Sequence, residues 1–297
     1  MWPALIAATA AAAAVAAIHR IVARRAEAAD AARPRNANGV LVGAEGFVLE
    51  RAGAPAVLLL HGGGDTPQTL RALGEFLHAH GFAVAAPLLP GHGRSVRAFA
   101  HVDTAEWRQA AVAAYDALAA EHPWTGVVGL SMGGALAVLT VAERPAVPAL
   151  VLLAPYVELP GGLRVAAALS RVIGLAAPYV SSQDARSIRD PEAAARGLAY
   201  GVFTPAALRG LRDTADAAAT ALSRVRAPTL IVQSQQDNRV APAVATRALA
   251  RLGAAEKRLE WISDGGHVIT VDFGRERVYA LTYAWLASHG AGALLPS

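Results

Sequence analysis

Residues 127–135, Val-Val-Gly-Leu-Ser-Met-Gly-Gly-Ala, constrain the chain more than any other stretch. A short apolar run, Val127 and Val128, stops at Gly129. An apolar segment of helical spacing (Leu136, Val138, Leu139, Ala142) starts just beyond Gly133 and Gly134. That order is strand, sharp turn, helix. At the tip of such a turn the backbone is strained, and the residues two positions away on either side come so close that a β-carbon would clash, which suits glycine at 129 and 133. The side chain held out is the hydroxyl of Ser131, a candidate nucleophile. The bland alternative is a serine in a glycine-rich turn, since Gly-x-Ser-x-Gly alone is a weak signal in a chain with 27 glycines.

The surrounding sequence supplies the context. From Val40 onward, short apolar runs are separated by turn residues. Residues 40–42 and 47–49, around Gly43 and Gly46, predict a hairpin. Residues 56–60 are continuously apolar and too short for a helix, as in a buried parallel strand, and they end in His61-Gly62-Gly63-Gly64. Residues 70–80 have helical spacing, 83–86 form a strand, and a loop follows that contains Pro90-Gly91-His92-Gly93. Asp103 and Glu106 resemble a capping box opening a helix through Ala120. After the serine turn come its helix, up to Pro145, and a strand over 150–154. The alternation resumes with a strand at 229–233, a helix at 241–252, a strand at 259–262 and a closing helix at 275–289. Such βα repetition predicts an α/β fold with a doubly wound, mostly parallel sheet, and 297 residues suffice for one such domain with one insertion. The core is expected over 39–156 and 223–291. Residues 157–222 break the alternation with helical segments only, apolar on more than one face, and read as a lid inserted over an apolar pocket.

Charge and composition exclude several functions. The net charge is +4, but residues 1–35 hold five arginines (20, 24, 25, 33, 35) against Glu27 and Asp30, so +3 of it lies there and the body is nearly neutral. No basic stripe with interleaved aromatics is visible, which argues against nucleic acid. There is no cysteine, hence no disulfide, thiol nucleophile or cysteine-held metal. The nine histidines are scattered, and the close pair His78 and His80 lacks a neighbouring carboxylate, so neither a metal nor a cofactor is expected. Residues 2–18 carry no charge, are mostly alanine, and precede Arg20, Arg24 and Arg25. As a helix they span about 26 Å, extended if Arg20 snorkels. Residues 1–25 therefore read as a single-pass inner-membrane anchor with the large domain in the cytoplasm, by the positive-inside rule. A soluble alanine-rich helix on a cytoplasmic protein is the alternative. Residues 26–38, with Pro34, read as a linker.

A serine hydroxyl needs a base within hydrogen-bond reach and a group to orient that base. In a doubly wound sheet, functional loops gather at the carboxyl ends of the strands. His267 follows the strand at 259–262 in Ser263-Asp264-Gly265-Gly266, and Asp237 follows the strand at 229–233 in Ser234-Gln235-Gln236. Each has an ordinary alternative: Asp237 as a cap for the helix near Ala241, His267 as a loop histidine satisfied by backbone. Asp264 is the rival acid, but it shares His267's loop, two glycines away, and is expected to shape that loop instead. The order Ser131, Asp237, His267 is that of an α/β-hydrolase.

With Leu-Leu-His-Gly at 59–62, Pro-Gly-His-Gly at 90–93, Gly-Leu-Ser-Met-Gly-Gly at 129–134, the Asp237 loop and Gly-His-Val-Ile-Thr at 266–270, the chain from about residue 45 to 290 resembles an α/β-hydrolase of the bacterial carboxylesterase and monoacylglycerol lipase type. The resemblance implies an eight-stranded sheet, a small helical lid after the sixth strand, a triad of Ser131, His267 and Asp237, and hydrolysis of carboxylic esters such as monoacylglycerols or short- to medium-chain acyl esters. Thioester, amide and perhydrolase chemistry use the same constellation, and a non-catalytic binding protein on this fold is a further alternative. The family commonly has a bulky residue where this chain has Gly63. Backbone donors do not depend on side chain, so the N–H groups of Gly63 and Met132 are expected to form the oxyanion hole, with a wider acyl pocket. His61 and His92 are expected to hold loops together.

Overall fold

In the computed structural model, which describes every residue except 1, 178, 182–186 and 295–297, the short apolar runs become strands. Most side chains between residues 3 and 16, and those of 175, 176, 180 and 181, also lie outside the described set. The strands are β1 (Phe47–Leu49), β2 (Ala56–Leu60), β3 (Ala83–Ala86), β4 (Thr125–Leu130), β5 (Leu150–Leu153), β6 (Val180–Ser181), β7 (Val202–Phe203), β8 (Thr229–Ser234) and β9 (Lys257–Ile262). The helices are α1 (Trp2–Ala31), α2 (Arg71–Ala79), α3 (Val96–Ala100), α4 (Ala105–Glu121), α5 (Met132–Glu143), α6 (Gly161–Ala168), α7 (Ser170–Ala176), α8 (Pro191–Ala195), α9 (Pro205–Ala221), α10 (Pro242–Arg251) and α11 (Arg275–Leu286).

The main sheet runs β1-β3-β2-β4-β5-β8-β9, parallel throughout except for β1, which lies antiparallel to β3. Val57 and Leu59 face α2 and α11, while Leu58 and Leu60 face α4 and α5. With helices on both faces, every side chain of the central strands is buried, which is why they read as unbroken apolar runs. The edge strand β9 differs. It carries Lys257, Arg258 and Glu260, whose charges discourage pairing with another sheet.

Several expectations are corrected. The sheet has seven strands among the described residues, not eight, and residues 40–42 do not form a hairpin with β1. Their donors are taken elsewhere: Val40 N–H bonds the Asn36 side chain, Leu41 N–H bonds Gly93 O at 2.7 Å, and Val42 N–H bonds Pro34 O at 3.1 Å. A single bridge from Arg35 to Leu41 is what remains of the ladder. Nor are residues 157–222 helical throughout. The antiparallel pair β6 and β7 interrupts them, and α9 lays Ala207, Leu211, Ala215 and Ala218 into the same core cluster as α5.

Helix α1 also differs from expectation. It continues to Ala31, through the start of the expected linker, and its last turns are fastened to the body. Ala23 is buried with Val96 and Tyr179. The Tyr179 hydroxyl donates to Glu27 at 2.6 Å. Asp30, itself buried, accepts from Val96 N–H at 3.0 Å and pairs with Arg35 at 2.8 Å. Arg33 donates to Leu198 O at 3.0 Å, so this segment grips the chain just before β6 and again before β7. The membrane anchor finds no support: among the described residues no helix is long and apolar enough to cross a membrane. The apolar stretch itself falls largely on side chains outside the described residues.

These contacts predict that a chain starting at His19 keeps its stability, whereas one starting at Asn36 loses about 1–3 kcal/mol by forfeiting the Asp30 and Glu27 interactions. Urea unfolding of the two truncations checks this.

Candidate active site

At the end of β4 the chain reverses into α5 through Ser131, whose φ of 54° and ψ of −117° put a non-glycine residue in a sparsely populated region. The turn holds that conformation by backbone bonds: Ser131 N–H to Leu153 O at 2.9 Å, and Tyr156 N–H to Ser131 O at 3.0 Å. A β-carbon at Gly129 would run into the carbonyl oxygen of Gly133, and one at Gly133 into that of Leu60. Both positions therefore admit only glycine, for the reason read from the sequence.

Asp237 and His267 arrive on the loops after β8 and β9. Ser234 donates its hydroxyl to Gly265 O and ties the two loops together. His267 Nδ1 donates to Asp237 Oδ2 at 2.7 Å, and the Ser131 hydroxyl donates to His267 Nε2 at 2.8 Å. Asp237 Oδ2 also accepts from the buried Gln233 side chain at 2.8 Å, while Oδ1 takes the N–H groups of Arg239 at 2.7 Å and Val240 at 2.9 Å. Asp237 thus caps the turn before α10 as well as orienting the histidine. Burial alone would raise its pKa. The histidine beside it and the two backbone donors outweigh that and hold the carboxyl below the ordinary carboxylate value. Asp264 is exposed, its carboxylate accepting from Ser263 Oγ at 2.9 Å, away from the imidazole.

His61 and His92 sit behind the loop Gly62-Gly63-Gly64. His61 Nδ1 donates to Gly62 O at 2.9 Å and Nε2 accepts from Leu89 N–H at 3.1 Å. His92 Nδ1 donates to Pro90 O at 3.0 Å and Nε2 accepts from Gly64 N–H at 3.1 Å. Both rings are therefore neutral, each holding a loop as expected. Burial lowers both pKa values, that of His92 to about 4 and that of His61 well below the usual imidazole value, with His92 as a second cause.

Sequence reasoning missed two other contributors. The fully buried Asp272 accepts from four backbone groups: Gly266 N–H at 2.7 Å, Arg189 N–H at 2.7 Å, Asp190 N–H at 2.9 Å and Phe273 N–H at 2.8 Å. The carbonyl of Ser187 accepts from His267 N–H at 2.8 Å and Val268 N–H at 3.1 Å. Together they bind residues 187–190 to the histidine loop. Neither leaves a local signal, because the bonds that join residues 187–190 to this loop span some eighty residues and use backbone groups that every sequence has.

The hydroxyl of Ser131 opens into a cleft of about 700 Å³ whose lining includes Gly63, Tyr156, Leu163, Phe203, Leu211 and His267. Gly63 abuts Met132 at the start of α5, where a β-carbon on Gly63 would lie 3.1 Å from the methionine sulfur. All seven residues singled out in the sequence, Ser131, Asp237, His267, Gly63, Met132, Gly129 and Gly133, thus gather at this end of the sheet.

Residues 53–273 match the family described as serine aminopeptidase, S33 (Hydrolase_4). The chain belongs to this family. The hydrolase is 28% identical over 250 residues to the thermostable monoacylglycerol lipase of Bacillus sp. (strain H-257), covering 84% of this chain and 97% of that protein. It is 26% identical over 241 residues to a carboxylesterase of Bacillus subtilis (strain 168), covering 80% and 94%. A solved structure from the metagenome-derived lipolytic enzymes LipS and LipT aligns with a TM-score of 0.77 at 28% identity, over 84% of this chain and all of that one. The monoacylglycerol lipase of Paleococcus ferrophilus, at 24% identity and a TM-score of 0.70, shares the fold over 83% of this chain and 100% of its own. The protein is an α/β-hydrolase whose relatives are lipases and esterases.

The neutral histidines make a signed prediction. An imidazole that titrates near 6.5 when unfolded but near 4 when folded costs nothing above pH 6.5, and destabilises the native state as pH falls from 6.5 towards 4. His92→Gln removes that cost along with the hydrogen bonds. The stability gap between wild type and His92→Gln should therefore narrow by about 2 kcal/mol between pH 7 and pH 5, as measured by urea unfolding.

Proposed function

We propose that the protein is a serine esterase, hydrolysing monoacylglycerol-like or short- to medium-chain acyl esters through an acyl-enzyme at Ser131. The observation that carries this reading is the unbroken relay from Asp237 through His267 to the Ser131 hydroxyl, at 2.7 and 2.8 Å. Ser131 Oγ attacks the ester carbonyl carbon as its proton passes to His267 Nε2. The N–H groups of Gly63 and Met132 stabilise the oxyanion. Met132 sits in the first turn of α5, where N–H groups have no intrahelical acceptor. Collapse of the tetrahedral intermediate breaks the C–O bond, and the imidazolium returns its proton to the leaving alcohol. Water, deprotonated by His267, then attacks the acyl carbon and releases the acid and the serine. Asp237, held as a carboxylate, keeps the Nδ1–H tautomer and offsets the charge on the imidazolium.

In this reading residues 157–222 serve as a cap on the core formed by 39–156 and 223–291. The apolar side chains that this segment contributes to the cleft, Leu163, Ile188, Val202, Phe203 and Leu211, suit an acyl chain and support the lipid-like substrate class. The kinship to a monoacylglycerol lipase and a carboxylesterase supports the reaction type.

A fluorophosphonate probe should label the wild type and not Ser131→Ala, with p-nitrophenyl ester hydrolysis lost in parallel; labelling of both would sink the assignment. Asp237→Asn should lower kcat by about 10³- to 10⁴-fold, a loss of roughly 4–5 kcal/mol, with KM little changed. Asp264→Asn should cost about tenfold or less, and steady-state kinetics on the two variants compares the acids directly.

A further inference from the structure

One polar group on the cleft wall has no part in that mechanism. Asp65 ends the run Gly62-Gly63-Gly64-Asp65 after β2 and is half-buried, its open side being the cleft that Ser131 and His267 also line. A β-carbon built on Gly62 would lie 3.5 Å from Ser131 Cβ and 3.8 Å from Asp65 Cβ, so the two side chains flank one point beside the reacting centre. Thr69, buried behind it, donates its hydroxyl to Asp65 Oδ2 at 2.7 Å and fixes the carboxyl from the far side. The turn itself is closed by Asp65 N–H to Gly62 O at 3.4 Å.

What surrounds the carboxyl does not account for its charge. Among the described residues no lysine or arginine forms an ion pair with it, and its hydrogen-bond donors are the Thr69 hydroxyl and the Thr66 backbone. Burial therefore pushes its pKa up to about 6 despite the bonds from Thr69 and the Thr66 backbone. Above pH 6 the wall of a largely apolar cleft thus carries a carboxylate with no cationic partner among the described residues, whose open side can accept a further hydrogen bond. Arg239, across the cleft, has its Nε on Ser187 Oγ at 2.6 Å and its N–H on Asp237. A purely hydrocarbon ester would displace water from the open side of the carboxylate and supply no donor in its place, which is costly. A substrate hydroxyl would donate to it and, being neutral, would enter an apolar cleft at less cost than an ammonium.

We propose that Asp65 is an acceptor subsite for hydroxylated esters, receiving a substrate hydroxyl a few bonds from the scissile carbonyl, either on the alcohol side, as in a polyol monoester, or on the acyl side, as in a hydroxyacyl ester. The proposal rests on Ser131 being the nucleophile of an esterase. Asp65 touches substrate and takes no part in bond making. It sets preference among esters, and the same hydrogen bond holds the carbonyl in the oxyanion site.

The test uses the full chain at pH 8, where the carboxyl is ionised, with three matched pairs: glycerol monobutyrate against propyl butyrate, p-nitrophenyl 3-hydroxybutyrate against p-nitrophenyl butyrate, and p-nitrophenyl 3-aminobutyrate against p-nitrophenyl butyrate. Wild type should prefer the hydroxylated member of the first pair or of the second, and which one identifies the side of the ester that Asp65 meets. In Asp65→Ala that ratio of kcat/KM values should fall by about 10- to 100-fold, and in the isosteric Asp65→Asn, which keeps an acceptor oxygen but not the charge, by less. An equal loss on both members of each pair would mean that Asp65 only shapes the Gly62–Gly64 turn, and would overturn the proposal. So would an unchanged ratio, or a preference for the amino ester alone. Absence of turnover on every ester by wild type would instead remove the esterase reading itself, and the subsite with it.

Discussion

The site rests on backbone packed against backbone: Gly133 lies so near the carbonyls of Leu60 and His61, and Gly129 so near the first turn of α5, that neither leaves room for a β-carbon. Everything at the site follows from this contact. It sets the end of β4 beside the end of β2, where Gly129 pairs with Leu60, so that Ser131 and the glycine loop at 62–64 emerge as neighbours. It also starts α5 immediately after the serine, so the first turn of that helix begins beside Ser131. A strained serine persists because two neighbouring strands and a helix over-determine its position. The strain is local and the support is not.

Around that contact the buried polar groups are satisfied mainly by backbone rather than by opposite charges. Asp272 takes four N–H groups, Asp237 two in addition to its histidine, and His61 and His92 each join one N–H and one carbonyl. Such bonds fix loop shape without burying a cation, whose desolvation would be severe. They also make the loops one body. The serine turn, the acid loop, the histidine loop and the chain at 187–190 cannot shift separately without leaving a buried acceptor empty.

The same linkage reaches outward. Tyr200 bonds Gly64 O through its N–H and Gly91 O through its hydroxyl, and Arg33 and Asp30 at the end of α1 clasp the neighbouring segments. The amino-terminal helix is thereby coupled to the wall of the cleft, though none of its described residues lines it.

The parts of the protein that its sequence determined by itself are those where local pattern and burial coincide. Strands β2, β4, β5 and β8 announced themselves because burial on both faces demands unbroken apolar runs. Ser131 stood out because its turn tolerates only glycine on either side. Asp237 and His267 followed from their positions after strands, and the exposed Asp264 was set aside on the argument that its own loop would claim it. Tertiary structure alone decided the rest. Val40 and Val42 have strand-like side chains, yet no strand forms there, because Asn36 and Pro34 reach their N–H groups before β1 can. Helix α1 continues where charge and Pro34 suggested a linker, since Tyr179 and Val96, far along the chain, anchor Glu27 and Asp30. Two-residue strands such as β6 and β7 carry no periodicity, and the roles of Ser187 and Asp272 consist of hydrogen bonds to backbone. Side-chain patterns encode burial, which is local in sequence; the partner of a backbone group is chosen only once distant segments meet.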